Sequence, residues 1–322
     1  MIIFKYINGD LTYFFDPECT FTEKSKMKKI TLLILYVFCQ FFLFCQYNIN
    51  KNFSGQRISV QEINSSKKPW TSDIANEYPE KFNFVVVTDK TGGSRRGVWE
   101  SGVNKINLMQ PEFVVSVGDL IQGYTKNKNK IEKQWTDFNN TISCLQMPFF
   151  YVAGNHDYTN EMMGKKWKEL YGPTYYYFTY KNVLFLCLNS ESGYTKLKNP
   201  DIDSKQVDFV DSVLNLHPNV AWTMVFMHQP LWLNKSGKNW LKVENLLNNR
   251  KHSVFTGHRH KYSLYERNKN DYFVLATMGG NSMLRGKEYG EFDHFLWISM
   301  TKNGPSYTNL MLDGIENKSL GQ

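Results

Sequence analysis

The sequence predicts an α/β fold with largely parallel strand pairing, and three observations carry that reading. Six short apolar runs recur along the chain, each bounded by turn-forming residues. Amphipathic segments of helical length separate several of them. Five of the runs end on a polar group able to hold a metal ion, at the strand ends where an open α/β sheet places its ligands. Strand then helix, repeated, is the pattern of a sheet whose crossovers run over its faces.

The first run is FNFVVVT, residues 82–88, short, β-branched and closed by Asp89, as in a buried strand. GVWESGVNKINLM (97–109) comes next, with apolar residues at helical spacing. FVVSV (113–117) and FFYVA (149–153) are further strands, separated by the amphipathic KIEKQWTDFNNTISCL (130–145). NVLFLCL (182–188), AWTMVFM (221–227) and HSVFTG (252–257) continue the series, with helical patterns in DSKQVDFVDSVLNL (203–216) and NWLKVENLLNN (239–249) between them. Beyond residue 260 the helical patterns stop. SLYERN, YFVLATM, DHFLWISM and PSYTNLML read as consecutive strands of more antiparallel character.

With 322 residues, 42% of them hydrophobic, the chain has material for one large domain or two small ones. Its formal charge of +8 suits a nucleic acid, an anionic membrane, a phosphorylated substrate or simply a lysine-rich surface. The densest basic run, TKNKNKIEK (125–133), has no interleaved aromatics and contains Glu132. It reads as a solvated loop, and no nucleic-acid partner is predicted. Of the five cysteines, only Cys144 and Cys187 lie beyond residue 45. That excludes a disulfide framework or a Cys-rich zinc site.

Residues 27–46, MKKITLLILYVFCQFFLFCQ, resemble a signal peptide or signal anchor. Residues 1–26 are then an N-terminal extension or a mis-called start, 47–80 a polar linker, 81–313 the functional domain and 314–322 a tail. This organisation predicts an exported protein, periplasmic or extracellular, tethered to a membrane only if residues 30–45 remain as an anchor.

The residues just past each strand are more informative. Asp89 closes the first, GD (118–119) the second, GNHD (154–157) the third, His228 the AWTMVFM run and GHRH (257–260) the last. Singly, each has an ordinary explanation: an aspartate caps a helix, a glycine makes a turn, a lone histidine is a satisfied core residue. The His-x-His of GHRH is stronger, since alternate residues of an extended segment point the same way. Together the set mixes oxygen donors with imidazoles, which suits Mn, Fe or Zn better than Ca.

The series Asp89, GD, GNHD, His228, GHRH resembles the calcineurin-like metallophosphoesterase superfamily over residues 82 to about 300. The resemblance implies a four-layer α/β/β/α sandwich of two mixed β-sheets flanked by helices. It also implies a two-metal site that hydrolyses a phosphate mono- or diester by attack of a metal-bound hydroxide. Residue by residue, Asp119 would bridge the ions. Asn155, His228 and His258 would complete one site, and Asp89 and His260 would serve the other. His156 would act as general acid, oriented by Asp157. The ions would be Mn, Fe, Zn or Mg, and the partner a phosphate-ester substrate.

Two positions depart from the family pattern. Thr91 stands where the first block, D-x-H, has a histidine ligand, and Gln122 stands where the second block carries another acid. The expectation is weaker occupancy of the first metal site and a preference there for Mn or Mg over Zn. Arg95, Arg96 and Lys90, beside the Gly-Gly pair at 92–93, read either as a solvated turn or as contacts to the substrate phosphate. Tyr124 and Arg259 also neighbour motif residues, and His294 either faces the cleft or starts a strand. The competing reading is a binding protein on a decayed phosphoesterase scaffold with little or no turnover. A nucleotide-binding P-loop is excluded, because no G-x-x-x-x-G-K-[ST] is present.

Overall fold

The computed structural model describes residues 2–7, 10–15, 81–191, 200–234 and 237–317. The chain divides into two units, Met1–Pro79 and Glu80–Gln322. In the first, β1 (Ile2–Ile7) and β2 (Asp10–Phe15) pair antiparallel, with Ile2 opposite Phe15. The expected export signal and linker, residues 27–46 and 47–80, lie outside the described residues. No helix among the described residues is long and apolar enough to cross a membrane.

The second unit holds two six-stranded sheets. One contains β3 (Phe82–Val87), β4 (Val114–Ser116), β5 (Phe149–Phe150), β12 (His294–Thr301), β13 (Gly304–Met311) and β14 (Ile315–Asn317), in the order β14-β13-β12-β3-β4-β5. The other contains β6 (Tyr176–Tyr180), β7 (Val183–Cys187), β8 (Trp222–Phe226), β9 (His252–Thr256), β10 (Ser263–Arg267) and β11 (Asn270–Val274), in the order β10-β11-β9-β8-β7-β6. Both are mixed. β3, β4 and β5 run parallel, as do β7, β8, β9 and β11. β12 joins β3 antiparallel, and β6 and β10 pair antiparallel with β7 and β11.

The apolar runs sort by parity into two cores, since successive residues of a strand face opposite sides. Phe82, Phe84 and Val86 of β3 point between the sheets, where they meet Phe113, Phe185, Phe226, Phe255 and Phe273. Ring pairs continue through this layer, Phe178 on Phe185 at 4.5 Å and Phe226 on Phe255 at 5.1 Å. Val85 and Val87 face the other way, toward α1 (Val98–Met109), α2 (Lys128–Ile142) and α3 (Glu161–Tyr171), which supply Trp99, Trp135 and Trp167. On the far side, Leu184, Leu186, Val225 and Val254 pack under α4 (Ser204–Leu216) and α5 (Lys238–Leu247) through Val210, Trp240 and Val243. The layers are therefore α/β/β/α. Burial on both faces is why these strands read as continuous apolar runs rather than alternating ones. Each such side chain contributes about 1.5–3 kcal/mol of transfer free energy.

Several elements differ from the sequence expectation. The strand expected over 149–153 stops at Phe150. Beyond it the Val152 N–H bonds the Ser116 hydroxyl at 2.9 Å instead of continuing the ladder. α3 and β6 were not expected. Asn160 caps α3, its side chain accepting from the N–H groups of Met162 and Met163. The basic run is not all loop: Asn127 caps α2 by accepting from Lys130 N at 3.0 Å, so residues 128–133 are its first turns. The late strands do not form one block, because β10 and β11 belong to one sheet and β12 to β14 to the other. Residues 315–317 of the expected tail pair with β13.

Candidate metal centre

The parallel strands of both sheets end at the same rim of the sandwich, and the motif residues gather there. Asp89 lies two residues past β3 and is fully buried. Its carboxylate accepts from the Thr88 hydroxyl and from His258 N–H at 3.0 Å, and stands 3.1 Å from His260 Nε2. Asp119 lies past β4 at φ 58°. Its Oδ1 accepts from His156 N–H at 2.9 Å, and its Oδ2 lies 3.2 Å from His228 Nε2. Asn155 Oδ1 lies 2.8 Å from His228 Nε2 and 2.7 Å from His258 Nδ1. One ligand atom each from Asp89, Asp119 and His228 falls within 4.8 Å of the others. The first sheet thus contributes Asp89, Asp119 and Asn155, and the second His228, His258 and His260. Gly257 allows the approach: a Cβ there would sit 2.1 Å from Asp89 Oδ2.

Backbone carbonyls fix three of the imidazoles. His228 Nδ1 lies 2.9 Å from Val117 O, His156 Nδ1 2.7 Å from Gln122 O and His260 Nδ1 2.6 Å from Asn281 O. A carbonyl only accepts, so each Nδ1 carries a proton, and any of these rings without a second proton turns an Nε2 lone pair toward the cleft. For His228 that lone pair faces Asn155 Oδ1 and Asp119 Oδ2. Acceptors converging in this way are balanced by a cation. The same field acts on protons: burial pulls His228 down, but Asp119 outweighs it and holds the imidazole up at about 10. Burial likewise opposes ionisation of Asp119, and His228 overcomes it, lowering the carboxyl to about 2. Burial pulls His260 down and its bond to Asp89 raises it to a net increase. His258 instead falls to about 4 through burial and the neighbouring His228. Mixed carboxylate, amide and imidazole donors, with the rear nitrogens of His228 and His260 hydrogen-bonded, fit divalent transition metals.

A family model described as calcineurin-like phosphoesterase matches residues 67–262. The chain belongs to the calcineurin-like phosphoesterase family. The match begins inside the segment expected to be a linker. Serine/threonine-protein phosphatase CPPED1 of Mus musculus is 28% identical over 177 residues, covering 49% of this chain and 56% of its own length. The Homo sapiens protein of that name is 30% identical over 138 residues, covering 41% and 43%. The chain thus spans about half the length of the curated relatives it matches. Among solved structures, a dimetal phosphatase from Danio rerio aligns with TM-score 0.56 at 12% identity, covering 73% of this chain and 97% of that one. A purple acid phosphatase, PPD1 of yellow lupin, aligns with TM-score 0.55 at 12% identity, covering 74% and 53%. At these identities the likeness is one of fold.

Other members of the expected site sit differently. Asp157 does not orient His156. It is fully buried and accepts from the N–H groups of Leu120, Ile121 and Gly154 at 2.8, 3.0 and 2.9 Å, tying the GD and GNHD loops together. The orienting contact on His156 is the Gln122 carbonyl. Arg95 is not available to a substrate: it forms a bidentate pair with Asp293 at 2.6 Å and also bonds Gly280 O. Lys90 is half-buried, and burial lowers its pKa. Glu100, Asp137 and Asp157 oppose that shift. Arg96 and Arg259 are exposed, with no ion pair among the described residues.

The two departures from the family pattern are bonded to each other. Thr91 is buried and donates its hydroxyl to Gln122 Oε1 at 2.8 Å, while accepting from Ser94 Oγ at 3.1 Å. Glu191, just past β7, was overlooked in the sequence although it obeys the same strand-end rule. It is buried, and its Oε1 accepts from Gln229 Nε2 at 2.7 Å and Ser190 Oγ at 3.0 Å, bracing the residue after His228. Asn281 could not have been found from residue type, because it acts through its carbonyl. His294 starts β12: its Nδ1 donates to Asn309 Oδ1 at 2.8 Å and its Nε2 accepts from Ala276 N at 3.0 Å.

Proposed function

We propose that the chain is a metal-dependent phosphoesterase that hydrolyses a phosphate mono- or diester, with His156 delivering the proton to the leaving group. The observation that carries this reading is the convergence of six donor residues from two sheets on one rim, with imidazole lone pairs fixed toward the carboxylates. Asp119 would bridge two divalent ions, with Asn155, His228 and His258 on one and Asp89 and His260 on the other. Bound there, the ions supply positive charge to the phosphoryl oxygens and acidify the attacking water. The remaining work falls to the chain. The Gln122 carbonyl holds His156 with Nε2 directed into the cleft, 4.0 Å from Asp119 Oδ2. A proton at that atom is placed for release to a departing alkoxide. Of the expected cationic contacts to the phosphate, Arg96 is the candidate that stays exposed.

Thr91 and Gln122 satisfy one another, which supports weak, exchangeable occupancy of the Asp89–His260 site and Mn or Mg there. The same pair is what favours the second reading, a binding protein with little turnover. The name of the CPPED1 relatives makes a phosphoserine or phosphothreonine monoester the first natural substrate to try. The deciding experiment loads the chain with Mn and monitors hydrolysis of an aryl phosphate monoester and diester, with Asn155→Ala and His156→Ala as controls. Metal-dependent turnover that both substitutions abolish or slow is expected. Bound metal without turnover on either ester would favour the binding reading. Export rests on residues 27–46 and is tested by sequencing the mature N-terminus.

A further inference from the structure

Tyr124 stands on backbone that a tyrosine seldom adopts. Its φ is 48°, and Gly123 before it has φ 57°. The turn is pressed against the GNHD loop: a Cβ at residue 123 would lie 1.7 Å from His156 O, so only glycine fits. Bulky residues in the left-handed region persist where surrounding contacts hold them, and they cluster at functional sites. Here the contacts are specific. The Tyr124 N–H donates to Thr159 Oγ1 at 3.2 Å, its ring meets the His156 ring edge-on at 4.6 Å, and its phenol oxygen accepts from Asn155 Nδ2 at 2.9 Å. Yet Tyr124 remains 54% exposed. Burial of apolar surface is therefore not what places it.

We infer that Tyr124 is a positioning residue for the metal centre, its hydroxyl oxygen holding the Asn155 amide with Oδ1 directed at His228 and His258. The inference rests on Asn155 being a metal ligand. An amide has an accepting and a donating end of nearly the same shape. Asn155 is 7% exposed, so its outward N–H needs a protein acceptor when Oδ1 faces inward. Tyr124 supplies that acceptor, as the Val117 and Asn281 carbonyls do for the rear nitrogens of His228 and His260. One turn then serves both neighbours in the GNHD motif: the Gln122 carbonyl sets His156 and the Tyr124 hydroxyl sets Asn155. A sequence pattern confined to ligands does not reveal it, since Tyr124 lies outside every motif block.

Tyr124→Phe removes the oxygen and keeps the ring against His156. The test titrates the metal-free chain with Co²⁺, reading affinity and the visible absorption of the bound ion, and compares native, Tyr124→Phe and Asn155→Ala proteins. Loss of a partner that orients a ligand typically weakens metal affinity about 10- to 100-fold. That loss is expected for Tyr124→Phe, with an altered Co²⁺ spectrum and an unmoved unfolding midpoint of the metal-free protein. If Tyr124→Phe binds Co²⁺ like the native chain while Asn155→Ala does not, the inference is wrong and the ligand reading stands. If Asn155→Ala also binds like the native chain, both fall. A lower midpoint for metal-free Tyr124→Phe, with an unchanged Co²⁺ spectrum, would make the role one of stability and overturn the inference.

Discussion

Replacing His156 by alanine separates proton donation from every other contribution to the proposed reaction. General acid catalysis typically contributes 10²–10⁴ in rate, about 3–5 kcal/mol of barrier. The ring's structural role is smaller. Truncation removes the Gln122 O contact and the Tyr124 ring contact, worth about 0.5–1.5 kcal/mol of stability each. The bond from His156 N–H to Asp119 Oδ1 belongs to the backbone and survives. The catalytic effect should also depend on the leaving group. An aryl phosphate that releases a stable phenolate needs little protonation, so His156→Ala should slow it least. An alkyl ester should lose the full factor. The assay is kcat at saturating Mn and substrate over a series of esters, plotted against leaving-group pKa. A shallow dependence in the native enzyme and a steep one in the variant are expected. An equal loss across the series would refute proton donation by His156.

Gly257→Ala, whose added carbon would lie 2.1 Å from Asp89 Oδ2, should displace that carboxylate and abolish binding at the Asp89–His260 site, read as loss of the weaker binding phase in a Mn²⁺ titration at equilibrium. Thr91→His combined with Gln122→Asp should tighten the same site, measured by Mn²⁺ titration; unchanged affinity would show that those positions do not limit it. Burial lowers the His294 pKa to about 4, below an unfolded value of about 6.5, so the unfolded chain takes up its proton first. That contribution is complete above pH ~6.5 and is lost as pH falls toward 4, by up to about 3 kcal/mol. His294→Leu should therefore show a smaller drop in urea stability between pH 7 and pH 5 than the native chain, with metal removed from both.

Much of the candidate site was legible because its proposed ligands are polar residues at the ends of strands buried on both faces. Such strands carry an unbroken apolar signal, and Asp89, Asp119, Asn155, His228 and His258 interrupt it at the rim. Where the signal is weaker the reading thinned. α3 buries only Met163, Gly164 and Trp167 over eleven residues, and β6 is an edge strand whose aromatics are half-buried. The insertion of β12 beside β3 joins residues more than two hundred positions apart and leaves no local mark. Arg95 misled for the same reason, since its partner is Asp293. Asp157 misled differently: the family resemblance implied a contact with His156, whereas the loop turns its carboxylate onto three backbone N–H groups.

The acceptors behind His228, His156 and His260 are main-chain atoms of Val117, Gln122 and Asn281. A substitution can delete a side-chain partner, but every amino acid carries the same carbonyl. The side chains at these three positions are therefore free to drift without unsetting the proton on any ring, provided the loops keep their course. What selection must defend there is a path through space rather than a letter, and a comparison of sequences would pass over it as variable ground.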